Sequence, residues 1–311
     1  MAFSATESAF EGFRLAKRSP FTIVIRALFY IVITALVIAV AGSSLSEFMQ
    51  LASRMESGGE PTDAEAMAFL SAYFSMIGLI LPISLILGSV SYAAVNRAVV
   101  RPSESAFGYL RIGMDEFRVI VVSLVLTIVL GLGFGLAGGL IFGVLGAVVS
   151  MMGENAGIGA ILIAVAVVAF ICLVIWVAVR LSLALPITVA ERRIAIFDSW
   201  KLTKGHFWGL LGMSILAWVL CLVVQILLSI ILMPILFAVS GGFENLASLE
   251  TMQPMEILQT MAPMAITILI FAAIVSALQL AIMYAPYASA YMGITGRDGG
   301  EPAQTAETPV L

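Results

Sequence analysis

Charged residues are scarce in this chain. They make up 11% of its 311 residues, whereas soluble domains contain about 25%. Hydrophobic residues account for 61%, and the mean hydropathy is +1.11. A water-soluble fold could not cover that much apolar surface, so the composition indicates an integral membrane protein. The net charge of −4, with its bases confined to short loops, gives no sign of a nucleic-acid partner.

Residues that usually carry chemistry are also few. The chain has one histidine, and its two cysteines, Cys172 and Cys221, lie separately in apolar runs, which favours neither a disulfide framework nor a zinc site. The long apolar runs contain no Asp or Glu, so they lack the paired carboxylates of acid–base catalysis and the buried acids of ion-coupled transporters. We therefore expect no enzymatic activity, no metal and no cofactor.

Six apolar runs are long enough to span a membrane, which takes about 20 residues. They cover residues 21–42, 68–95, 119–149, 159–189, 209–239 and 263–293. The third run is unusually long, and we interpret it as one tilted or kinked helix, since polar flanks for a re-entrant hairpin are missing. The sequence thus predicts one all-α, six-span domain over residues 1–295, followed by a disordered tail over 296–311.

The distribution of Lys and Arg predicts the orientation. Three precede the first run, four lie in each of the second and fourth loops, and one follows the last run. The opposite loops hold Arg54 alone, beside nine carboxylates. Basic loops stay in the cytoplasm, so we expect both termini there. The acidic loops, 43–67 and 240–262, include Thr62-x-x-Glu65, a capping box like Ser4-x-x-Glu7 near the N-terminus.

Similar segments precede the three odd-numbered spans. They read ESAFEGFRL at 7–15, ESAFGYLRI at 104–112 and IAIFDSWKL at 194–202. The shared pattern is Phe-x-x-apolar-basic, which on a helix places two apolar residues on one face with a cation beside them. The even spans also end alike, with SYAAV at 91, PITVA at 186 and PYASA at 286. We interpret the chain as three repeats, each an interfacial amphipathic helix followed by a transmembrane hairpin. The alternative is that each segment is merely the basic flank common before inward-facing spans.

Two of these segments resemble a bacterial family. FRLAKRSPFTI at 13–23 and AIFDSWKLTKGHFWGLLG at 195–212 are similar to segments of YciC-like inner-membrane proteins and of the membrane domain attached to some glycerophosphodiester phosphodiesterases. The resemblance implies a six-span module of the bacterial inner membrane connected with glycerophospholipid turnover. The resemblance implies no catalytic activity for this chain, because the soluble catalytic domain of those phosphodiesterases has no counterpart in this chain.

Glycines recur at four-residue spacing in the third span, at Gly131, Gly135, Gly139 and Gly143. Such a stripe lets another helix approach closely. It predicts packing inside the bundle or a homodimer face, with a flexible gate as the alternative.

Arg180 is the most deeply placed charge of the fourth span, two to three turns from the next charged residues. A charge at the centre of a span costs about 2.5–3.5 kcal/mol. We therefore expect Arg180 to reach the interface, to contact backbone carbonyls freed by Pro186, or to bind an anion. Arg26, one turn into the first span, is expected to snorkel to the interface. The candidate anion-binding set combines Arg180 with basic-loop residues, namely Arg14, Arg111, Arg192, Arg193, Lys201 and Lys204.

Two functions fit this pattern. One is a non-catalytic module that binds anionic lipid or a partner membrane protein. The other is a transporter or channel subunit with a path past Arg180. Buried acids would favour this second function, and the apolar runs contain none.

Cysteine labelling tests the orientation. In a background without Cys172 and Cys221, reporters at Ser57 and Ser248 should react with an impermeant thiol reagent on intact cells, and one at Ser103 only after lysis. Labelling of Ser103 on intact cells would contradict the predicted topology.

Overall fold

The computed structural model describes residues 3–57, 62–104, 106–111, 113–151, 156–240 and 254–297. Within these ranges the chain is helical, without strands. Most of the second acidic loop, including Ser248, and nearly all of the predicted tail lie outside the described residues.

Six helices are long and apolar enough to cross a membrane, which confirms the all-α membrane class. In chain order the helices are α1 (Ala5–Ala9), α2 (Glu11–Arg18), α3 (Pro20–Ser57), α4 (Asp63–Val100), α5 (Met114–Met151), α6 (Ala156–Leu181), α7 (Ala184–Glu191), α8 (Ile196–Leu202), α9 (Phe207–Val239) and α10 (Pro254–Thr295). The spanning helices are α3, α4, α5, α6 with α7, α9 and α10. We call the end that carries α1, α2, α7 and α8 the basic end.

Helix boundaries follow local sequence signals. Thr62 and Glu65 form the reciprocal capping box that opens α4, and the Ser4 hydroxyl accepts from the Glu7 N–H at the start of α1. The third span is one unbroken helix, as expected. The fourth is interrupted between Leu181 and Ala184, just before Pro186, which cannot donate to the carbonyl four residues back.

The close packing of the bundle depends on alanines of the sixth span. Ala273, Ala277, Ala281 and Ala285 recur every four residues on α10 and are at most 1% exposed. Alanine faces allow helix backbones to approach in lipid, where van der Waals contact drives association. Helix α10 consequently contacts α2, α3, α4 and α9 and forms the centre of the bundle.

The glycine stripe on α5 packs against none of the described residues. A Cβ added at Gly131, Gly135, Gly139 or Gly143 would meet no atom within 4 Å. Instead, α6 contacts the neighbouring face of α5, where the Phe170 ring lies 3.1 Å from the Cβ position of Gly138. All four glycines of the stripe are exposed, so α6 does not cover them. The expectation of packing inside the bundle is therefore wrong, and the homodimer face stays a prediction.

The three similar segments differ in structure. The first forms α1 and α2 and the third forms α8, but the second is a short 3₁₀ turn, Ala106–Tyr109. Phe107, Gly108 and Tyr109 all have positive φ, which excludes the amphipathic helix expected there. Gly108 and Gly113 make helix formation costly in this segment. The first apolar position, Phe10, Phe107 or Phe197, is exposed in all three, as a membrane-facing residue would be.

Two of these segments nevertheless make equivalent contacts. Gly12 and Ser199 occupy the same position in the aligned segments. Gly12 packs on α10 at Ala281 and Ile282, a few residues before Pro286, and Ser199 packs on the fourth span at Arg180 and Leu183, a few residues before Pro186. Each segment thus contacts a different even-numbered span just before its proline. This supports the threefold interpretation, which stays a prediction.

Replacing Gly12 tests the tight packing of α2 on α10. A Cβ at Gly12 would lie 2.6 Å from the Ala281 carbonyl oxygen and 2.7 Å from the Ile282 nitrogen, so we expect Gly12→Ala to destabilise the protein by about 1–3 kcal/mol. Gly135→Ala is the matched control, because its Cβ meets nothing and helix propensity improves by about 1 kcal/mol. Melting in detergent compares the two, and equal melting temperatures would contradict the packing.

Candidate functional site

An arginine and two tryptophans form a cluster where α6 meets α8. The guanidinium carbon of Arg180 is 5.7 Å from the ring centroid of Trp176 and 5.8 Å from that of Trp200. The two indoles pack edge to face with centroids 5.1 Å apart. Each cation–π contact contributes about 0.5–1 kcal/mol at an exposed site. We call these three residues the Arg180 cluster.

The break in the fourth span positions this cluster. The hydroxyl of buried Ser199 donates to the Arg180 carbonyl at 2.8 Å and accepts from the Leu183 N–H at 3.1 Å. Backbone groups released by the break therefore have partners, as a membrane interior requires. The same two bonds fix α8 beside Arg180, so that the arginine lies against a surface helix rather than alone in the lipid.

The Arg180 guanidinium keeps free hydrogen-bonding capacity. Its Nη1 is 3.5 Å from the Trp200 carbonyl oxygen, and its buried Nε has no partner among the described residues. Arg180 also forms no ion pair within this part of the chain, and neither do the exposed Lys201 and Lys204. A guanidinium with unused donors binds phosphate through two parallel hydrogen bonds. The cluster is therefore chemically suited to an anionic headgroup.

A second charged group at the basic end is internally neutralised. Arg97, only 1% exposed, forms an ion pair with buried Glu116 and donates to the Tyr109 carbonyl at 2.6 Å. The Tyr109 hydroxyl donates to the Pro102 carbonyl at 3.0 Å. These bonds join the end of α4 to the start of α5 and hold the intervening turn in its left-handed conformation, which costs about 1–2 kcal/mol per non-glycine residue.

Glu104 forms ion pairs with Arg111 and Arg192, two of the predicted anion-binding residues. Its carboxylate is 3.3 Å from Arg101, 3.1 Å from Arg111 and 3.0 Å from Arg192. Arg101 also contacts Asp115 at 2.7 Å. An open pocket of about 400 Å³ lies over these side chains. Because carboxylates already engage Arg111 and Arg192, both have less charge to offer an external anion than their sequence context suggests.

The other predicted cations lie apart from one another. Arg14 is 3.6 Å from Glu11 and donates to the Glu7 carbonyl, in a surface cleft that also includes Arg297. Arg193 forms ion pairs at 2.6 Å with both Glu191 and Asp198, and these carboxylates raise the pKa of Arg193 above its usual value. Arg14 and Arg111, the cations of the first and second similar segments, therefore belong to separate groups of contacts.

Arg26 does not snorkel. It is 3% exposed, and its Nη2 donates to the Ala94 carbonyl at 3.4 Å. The guanidinium turns into the interface between α3 and α4, where the packed helices cover it, instead of reaching toward the headgroups. The expectation was wrong because proximity to a span end does not reveal which face of the helix is covered.

A cavity of about 240 Å³ lies inside the bundle, on the face of α6 away from Arg180. Helices α4, α5, α6, α7 and α10 line it, and its polar residues include Asn96, Tyr284 and Tyr287. Sequence reasoning missed these residues and the Arg97–Glu116 pair. The available signal was the clustering of Asn and Tyr near the basic ends of two otherwise apolar spans.

Compared with known proteins, the chain matches no family model, no curated protein and no solved structure. The fold alone therefore gives the class: an integral membrane protein with six apolar helices long enough to span the bilayer.

Neutralising Glu116 tests the buried ion pair. Breaking a buried ion pair costs about 3–5 kcal/mol, and Asp115, 3.8 Å from Arg97, offsets only part of that loss. The melting temperature of Glu116→Gln in detergent should therefore drop. Glu104→Gln is the control, since its partially exposed pairs contribute about 1 kcal/mol or less. Replacing both partners, as Arg97→Met with Glu116→Leu, should recover much of the loss. A single Glu116→Gln variant as stable as Glu104→Gln would contradict this assignment.

Proposed function

We propose that this protein is a non-catalytic module of the bacterial inner membrane that binds anionic phospholipid headgroups at the Arg180 cluster. In this proposal the basic end faces the cytoplasm, and the role belongs to glycerophospholipid homeostasis. The resemblance of residues 13–23 and 195–212 to YciC-like proteins is part of the same proposal.

The observation that carries it is the unused hydrogen-bonding capacity of Arg180. Its side chain lies against two indoles that are about 40% exposed, it has no carboxylate partner among the described residues, and its Nε is unsatisfied. Tryptophans of this kind favour the headgroup level of the bilayer. A lipid phosphate at that level would complete the hydrogen bonds of the guanidinium.

Neighbouring charges favour an anionic lipid over a zwitterionic one. Lys201 ends α8, directly after Trp200, and Lys204 follows in the loop; both are exposed. Cations near an anionic leaflet gain about 1 kcal/mol each. By contrast, the arginines of the Glu104 group are engaged by carboxylates, so the Arg180 cluster is the preferred headgroup site.

The alternative is a transporter or channel whose path passes Arg180. Such a path needs a cavity that reaches this side chain. The cavity between α4, α5, α6, α7 and α10 is lined without Arg180, because Trp176 and Arg180 occupy the opposite face of α6 from Ala178 and Leu181. We therefore favour lipid binding.

Lipid retention tests the proposal. Protein released from nanodiscs of equal phosphatidylglycerol and phosphatidylcholine should carry phosphatidylglycerol preferentially in native mass spectra. Arg180→Gln should lower that preference roughly tenfold, since hydrogen bonds to charged groups contribute about 1.5–3 kcal/mol. Arg193→Gln is the matched control, because carboxylates already occupy that guanidinium. If both variants behave like the unmodified protein, the Arg180 cluster is not the headgroup site.

A further inference from the structure

The cavity inside the bundle contains a polar residue with an unfilled hydrogen bond. Asn96 is 2% exposed; its Nδ2 donates to the Tyr92 carbonyl at 2.7 Å, and its Oδ1 has no partner among the described residues. Buried polar atoms are almost always hydrogen-bonded. Asn96 also lines the cavity, so an occupant that donates a hydrogen bond could supply the missing partner.

The tyrosines of the cavity also offer acceptors. The Ser214 hydroxyl donates to the Leu210 carbonyl at 2.7 Å, so the Tyr287 hydroxyl must donate to Ser214 across their 3.1 Å contact. The Tyr287 oxygen therefore retains accepting capacity. Tyr284 shares a hydrogen bond of 2.9 Å with Tyr92. The polar wall consequently favours an occupant that donates hydrogen bonds.

The rest of the lining is apolar and uncharged. It consists of Leu126, Leu130, Ala178, Leu181, Leu185 and Pro186, together with Ser182. Without a cation in the lining, a phosphate group would be costly to bury here. Leu126 and Leu130 on α5 are half-buried, and Ala178 on α6 is exposed, so alkyl chains can extend between these helices into the lipid.

The volume limits the occupant. A water molecule takes about 30 Å³, so 240 Å³ holds a headgroup of a few polar atoms with the first methylenes. We propose that this cavity binds the headgroup of a neutral lipid alcohol such as a diacylglycerol. The hydroxyl of that headgroup donates to Asn96 Oδ1. This site lies on the other face of α6 from the Arg180 cluster and does not rest on the proposed function.

A pair of lipids that differ only in the hydroxyl tests the proposal. Protein from nanodiscs that contain equal amounts of 1,2-dioleoylglycerol and its 3-acetyl ester is analysed by native mass spectrometry. We expect dioleoylglycerol to be retained roughly tenfold more than the ester, which lacks the donor. Equal retention of both lipids, or retention of neither, would overturn the proposal.

Two variants separate the polar contact from the space. Asn96→Leu keeps the side-chain size and removes the acceptor, so the preference for the free hydroxyl should vanish. Ala178→Leu fills the cavity and leaves the polar groups intact, so both lipids should be lost. Ala169→Leu, the same substitution at an exposed position of α6, is the control and should change neither. Detergent melting confirms that each variant is folded, and an Ala178→Leu variant that binds like Ala169→Leu would place the lipid elsewhere.

Arg180→Gln should leave the dioleoylglycerol preference unchanged, which distinguishes this site from the phosphatidylglycerol site.

Discussion

Polar groups inside a membrane protein must find partners within the protein, because lipid offers none. This constraint explains the least regular parts of the chain. The break before Pro186 lies next to Ser199. The Ser199 hydroxyl donates to the Arg180 carbonyl and accepts from the Leu183 N–H, which the break leaves without helical partners. The left-handed turn before α5 exists beside Arg97, which is paired with Glu116 and bonds the Tyr109 carbonyl. Each irregularity therefore also fixes a short segment against the spanning helices.

The same constraint bears on both candidate binding sites. Arg180 Nε and Asn96 Oδ1 are among the buried side-chain atoms that have no partner in the described residues, and the two sites lie on opposite faces of α6. One site is cationic and is flanked by partly exposed indoles at the surface. The other is uncharged, lies between helices and is partly open. The charge of each site selects its ligand: an anionic headgroup for the first and a neutral hydroxyl for the second.

Hydropathy predicted the six spans, and the Thr-x-x-Glu motif predicted the capping box at Thr62, because both depend on short stretches of sequence. Four-residue spacing assigned close packing to Gly135 and its stripe, although Ala277 and its neighbours on α10 form the packed face. Four-residue spacing shows that one face of a helix carries only small residues, but it does not show whether another helix covers that face. The Arg97–Glu116 pair was missed for a related reason, since it joins two helices across a turn whose conformation depends on that pair.

The central claim is that Arg180 binds an anionic lipid headgroup. A cryo-electron microscopy structure in phosphatidylglycerol nanodiscs tests it most directly. Headgroup density should lie against the Arg180 guanidinium, beside Trp176 and Trp200, with phosphate oxygens at about 2.7–2.9 Å from its nitrogens. A guanidinium paired instead with a carboxylate of the chain, or covered only by acyl chains, would contradict the account.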